Sequence, residues 1–95
     1  PKNRQLLRNL VVVLSQVPDA AVRDPERALR LARELVSLGE PSMLDEHALF
    51  FAVLLAGSPA EAAVIGRRVA ARAMRESEHR IAEQVVKQLK RLEAR

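Results

Sequence analysis

Cysteine, tryptophan and tyrosine are all missing from this 95-residue sequence, and Phe50 and Phe51 are its only phenylalanines. Without cysteine there is no disulfide, no thiol nucleophile and no thiolate zinc site. With aromatics nearly absent, the chain lacks the flat platforms on which single-stranded nucleic acid stacks. The three glycines stand apart at 39, 57 and 66, so no glycine-rich loop can cradle a phosphate. The longest apolar run, Ala48 to Gly57, is about half of what spans a bilayer, and no charged, apolar, small-residue leader opens the chain. The sequence starts at Pro1 without methionine, which suggests a piece of a longer protein; the default compartment is the cytoplasm.

What is present is an ordinary globular balance, 48% hydrophobic and 29% charged, which excludes disorder as the main reading. A chain of this size makes one domain, 1–95, burying about 60–70% of its unfolded surface. An interaction surface is easier to build on it than a deep substrate cavity.

Spacing and punctuation predict five helices, about 4–17, 25–38, 43–56, 59–75 and 78–94. The second is the best marked. Asp24 is placed to cap it, Pro25 takes its first position, and Ala28, Leu31, Ala32, Leu35 and Val36 form one face at 3.6 periodicity. Gly39 then allows a left-handed residue and Pro41 blocks continuation. The first helix carries Leu6, Leu7, Leu10, Val11, Leu14 and Val17. Its three consecutive valines also suit a strand, but the recurrence of Leu6, Leu10 and Leu14 every fourth residue favours helix.

In the third helix Ser42 and Asp45 form a capping-box pair, and the run from Ala48 to Ala56 is apolar on all sides, the mark of a central, buried helix. The fourth opens with Ser58, Pro59 and Glu61 in the same capping grammar and has a small inner face, Ala62, Gly66, Ala70 and Ala73. Gly66 inside a helix costs about 0.5–1 kcal/mol relative to alanine, so it should mark a close helix crossing. The fifth is amphipathic, with Ile81, Ala82, Val85, Leu89 and Leu92 on one stripe.

The openings DPERAL and SPAEAA superpose, and their alanines Ala28 and Ala62 stand 34 residues apart, the period of tetratricopeptide repeats. Leu7, Leu10, Val11 and Leu14, with Ala28 and Ala32, take the pattern positions of one repeat; Leu49, Phe50, Val53 and Ala62 take those of a second. The chain therefore resembles about two tetratricopeptide repeats followed by a capping helix. It departs from that pattern where Glu46 replaces a large apolar residue, Val11 and Phe50 a small one, Ala32 and Gly66 an aromatic, and Met74 a proline. The turn QVPDAAVRD is also longer than usual. The resemblance implies an all-α, right-handed stack of antiparallel helix pairs, an α-solenoid of five helices. It also implies a concave groove that holds a peptide or helix of another protein.

The residues expected to project into that groove are Arg8, Val12, Ser15 and Gln16 from the first helix and His47, Phe51 and Leu55 from the third, the last three at i, i+4 and i+8 on one face. The alternative is that the fifth helix covers this stripe and makes it core. The cationic clamp of family members that bind chaperone tails is not matched, since Arg8 stands alone.

All of the +4 formal charge lies in residues 57–95, with nine Lys/Arg against five Asp/Glu. Arg68, Arg72 and Arg75, with Arg67 beside them, form a stripe that suits phosphates or an acidic partner, or is simply a solvated face. Nucleic-acid binding is disfavoured, because no base-reading side chains accompany the arginines.

Catalysis finds little support. Glu76 and His79 make a single Glu-x-x-His, whereas a di-iron bundle needs two such pairs and further glutamates. Asp45, Glu46 and His47 are consecutive, and consecutive helical residues point about 100° apart. The expectation is a non-catalytic scaffold with no metal and no cofactor. The alternative is a helical oligomerisation or docking domain without a groove, discriminated by its mass in solution.

Overall fold

The computed structural model describes residues 3–16, 19, 21 and 23–94. These form five helices and no strand: α1 Arg4–Gln16, α2 Pro25–Ser37, α3 Met43–Ala56, α4 Pro59–Arg75 and α5 His79–Glu93. Each helix packs on the next, and α1 also touches α3. The fold is all-α, as the periodicity predicts. Val17, Pro18, Ala20 and Val22 lie outside the described residues. No helix is long and apolar enough to cross a membrane.

The helix starts follow the side chains present. Asn3 accepts from the Leu6 N–H at 3.1 Å, and Asp24 accepts from the Arg27 N–H with Pro25 behind it. Ser42 and Asp45 close both halves of a capping box. At α4 the pattern is only half fulfilled. Ser58 accepts from the Glu61 N–H at 3.0 Å, but the Glu61 carboxylate does not turn back to the cap; it takes a bidentate pair from Arg33 of α2, at 2.8 and 3.0 Å.

The centre of the molecule is α3. Ala48, Leu49, Phe50, Ala52 and Val53 are all buried on it, because α1, α2 and α4 each take one of its sides. Val11 and Leu14 of α1, Ala28, Ala32 and Leu35 of α2, Ala62, Ile65 and Val69 of α4 and Val85 of α5 complete the core. Gly66 sits at a close crossing: a Cβ there would stand 2.7 Å from both Leu89 Cδ2 and Phe50 Cε1. Met43, Ala73 and Ala82 form a smaller cluster beside the α4–α5 turn.

Among the described residues two turn positions have positive φ. Gly39 after α2 has φ +138° with an Arg4 guanidinium nitrogen 3.4 Å from where its Cβ would be. Between α4 and α5, Ser77 has φ 61°. There the Ser77 N–H donates to Met74 O and the Glu78 N–H to Ala73 O, the 5→2 and 6→1 bonds that end a helix at a left-handed residue. A serine holds the place that glycine usually fills.

Candidate partner-binding groove

Between α1 and α3 lies a groove of about 200 Å³ lined by Arg8, Asn9, Val12 and Gln16 from one helix and Leu44, His47, Ala48 and Phe51 from the other. The spacing of Leu44, His47, Ala48 and Phe51 is i, i+3, i+4, i+7, one continuous helical stripe. Val12 and Leu44 keep 40% and 44% of their surface in water, so two large apolar side chains stand exposed at its edges. The ring of His47 meets Phe51 edge-on at 4.9 Å, and Phe50 meets Phe51 at 5.5 Å.

The Nε2 of His47 is buried with no hydrogen-bond partner. Burial pushes its pKa below the ordinary histidine value, since protonation would place a charge among apolar atoms. The groove floor is therefore neutral at pH 7.

Five of the residues expected from the spacing come together here: Arg8, Val12, Gln16, His47 and Phe51. Two do not. Ser15 is buried, and its hydroxyl donates to the Val11 carbonyl at 2.6 Å, because one step of about 100° from Gln16 turns it toward the interior. Leu55 is exposed one turn past Phe51 but outside the lining. Asn9, Leu44 and Ala48 were not among the expected residues. The i, i+3, i+4, i+7 stripe through His47 contains Leu44 and Ala48 and is the signal that finds them. The fifth helix does not cover this groove, because α5 packs along α4 and has no contact with α1 or α3 at backbone distance.

The charged residues around the groove are largely engaged with one another. Arg4 and Arg8 both donate to the buried Asp45 carboxylate, at 3.2 and 2.9 Å, and Arg4 also donates to Glu40 O at 2.6 Å. Burial alone would raise the Asp45 pKa, but the Ser42 N–H, the Arg8 guanidinium and the Ser42 hydroxyl hold it below the usual carboxylate value. On the other side of α3, Glu46 accepts from Arg68 Nε at 2.8 Å and from Arg72 at 2.7 Å. Arg72 further donates to Pro41 O at 2.8 Å and to Glu76 at 2.7 Å. The hydrogen bonds that Arg72 donates to Glu76 and Glu46 raise its pKa.

The four arginines of the expected basic stripe are not alike in the structure. Of Arg67, Arg68, Arg72 and Arg75, the middle two are spent on Glu46, and only Arg67 and Arg75 make no ion pair among the described residues. The cause is Glu46, a nearly buried acid that accepts from both.

Glu76 and His79 do not face a common site. Glu76 ends α4 and pairs with Arg72, whereas His79 opens α5 and lines a different groove. Among the described residues no group of three or more His, Asp or Glu side chains is arranged to hold a metal ion.

Comparison of the chain with protein-family models, with curated proteins and with solved structures finds no match to any of them.

Proposed function

We propose that this chain is a non-catalytic protein-interaction module that holds a peptide or a helix of a partner along the α1–α3 groove. The observation that carries the reading is the groove itself, whose eight lining residues include five that the repeat resemblance implies, with Val12 and Leu44 exposed at its edges and a neutral aromatic floor. Apolar side chains spaced along a groove between helices suit the anchors of an amphipathic segment. The resemblance to tetratricopeptide repeats, which use this side of the stack for binding, supports the same choice.

The test is selection of peptides from a random display library on the immobilised domain, followed by mapping of amide shifts on adding the selected peptide. Shifts confined to Val12, Gln16, Leu44, His47 and Phe51, and loss of binding in Val12→Glu, support the groove. Shifts elsewhere, with Val12→Glu binding normally, overturn it.

A second reading is favoured by one separate observation. On the outer side of α1, Leu6 is 67% exposed and borders a shallow apolar depression of about 370 Å³ with Leu7, Leu10 and Leu31. Such a face suits self-association, in which the chain serves as an oligomerisation domain. Sedimentation equilibrium decides: a mass above the 10.6 kDa of one chain that returns to it in Leu6→Glu supports this reading.

A further inference from the structure

We propose that the groove between α4 and α5 is a second docking surface, and that its occupant is an amphipathic helix of another protein with acidic flanks. This does not rest on the α1–α3 reading, since the two surfaces share no residue.

The groove encloses about 620 Å³ and is lined by Met74 from α4 and by His79, Ala82, Glu83, Val86, Lys87 and Lys90 from α5. Its apolar part is Met74, Ala82 and Val86, with Met74 56% exposed. An exposed unbranched thioether adapts to varied apolar partners. Along α5, Ala82, Val86 and Lys90 make one i, i+4, i+8 row and His79, Glu83 and Lys87 the next, so the apolar row runs directly into a charged rim.

Charge chooses the occupant. The ion pairs of Arg68 and Arg72 with Glu46 neutralise the inner part of α4. Among the described residues of this half, the cations without an ion pair are Arg67, Arg75, Arg80, Lys87, Lys90 and Arg91. Two of these, Lys87 and Lys90, stand on the groove rim against one acid, Glu83. A partner whose apolar stripe is flanked by Glu or Asp gains attraction on both sides of the seam. A second copy would bring the same basic half against itself. A nucleic acid would leave the Met74 and Val86 surface without an apolar partner.

The experiment measures fluorescence anisotropy of two labelled helical peptides about 18 residues long, five turns, with the same leucine stripe, one flanked by glutamate and one by lysine. A DNA duplex is the third probe, and the mass of the unliganded chain is followed over the same concentrations. The substituted positions are exposed, and circular dichroism checks that each variant keeps its helicity. The expected result is binding of the acidic peptide alone, weakened by salt. Lys87→Glu with Lys90→Glu should reduce its affinity about tenfold or more, Val86→Asp should abolish it, and Val12→Glu should leave it unchanged. The proposal is overturned if neither peptide binds, if both bind alike, or if Val12→Glu removes the binding while the lysine reversals do not. It is equally overturned if the duplex is the ligand lost on lysine reversal, or if the chain doubles in mass through this face.

Discussion

Gly66 is where α3, α4 and α5 come closest, and the space above its Cα is already taken. A methyl group there would meet the fully buried Phe50 ring as well as the half-buried tip of Leu89. Leu89 can move; the ring cannot without disturbing the core. Replacing glycine by alanine gains about 1 kcal/mol of helix propensity, but forced overpacking costs about 1–3 kcal/mol. Gly66→Ala should therefore lose about 1 kcal/mol, a fall of roughly 4–8 °C in Tm, readable in a thermal melt. An unchanged or raised Tm would mean that the crossing is looser than the distances require. Ser77 has the opposite sign. Its left-handed backbone costs a non-glycine residue about 1–2 kcal/mol, partly offset by the extra chain entropy of glycine in the unfolded state, so Ser77→Gly should stabilise by roughly 0.5 kcal/mol. The first of these sites is legible in sequence, because a glycine in mid-helix is costly and needs a reason. The second is not, because a serine there reads as a capping residue and gives no sign of a positive φ.

At the scale of the element, helix boundaries are readable because they depend on neighbours in sequence. Apart from the expected end of the first helix, which falls on Val17 outside the described residues, the ends expected from caps, prolines and spacing agree with the observed ones to within one residue. Ion pairs are less readable, since they depend on which faces meet. Nothing local to Arg68 or Arg72 reveals Glu46, and nothing local to Arg8 reveals Asp45; each partner lies more than 20 residues away. The two acids at the start of α3 should also differ on removal. Asp45 is 0% exposed, and Asp45→Asn keeps an oxygen for the Ser42 N–H while leaving Arg4 and Arg8 without their charge partner. The cost should be about 2–3 kcal/mol, short of the 3–5 kcal/mol seen for fully buried pairs because both arginines keep contact with water. Glu46→Leu removes a nearly buried acid whose partners face outward, and it puts an apolar side chain in its place. It should be neutral within about 1 kcal/mol. Denaturant unfolding of the two variants gives the comparison, and equal losses would contradict it.

For the whole molecule, one titration separates the groove from the Arg4 and Arg8 ion pairs with Asp45 beside it. His47 favours its neutral form in the fold, with a pKa below the ordinary value, so the unfolded chain binds more protons below about pH 6.5. That contribution is complete above pH 6.5 and is lost as pH falls toward the folded value. Asp45 favours its charged form, with a pKa below that of a free carboxylate; its contribution is complete above about pH 4 and is lost as pH falls through the folded value. Glu61, held down by its bond from Arg33, acts in the same direction but is exposed, so water screens most of its effect. The folded chain should therefore lose stability in two limbs on acidification, one starting near pH 6.5 and another below about pH 4. His47→Leu should flatten the upper limb alone, because it removes the buried imidazole and leaves Asp45 untouched. Asp45→Asn should flatten the lower limb alone. Urea unfolding measured from pH 3 to pH 8 reads both. If His47→Leu left the upper limb unchanged, the imidazole would have to be solvated in the fold, and the groove floor would be open to water instead of closed against Phe51.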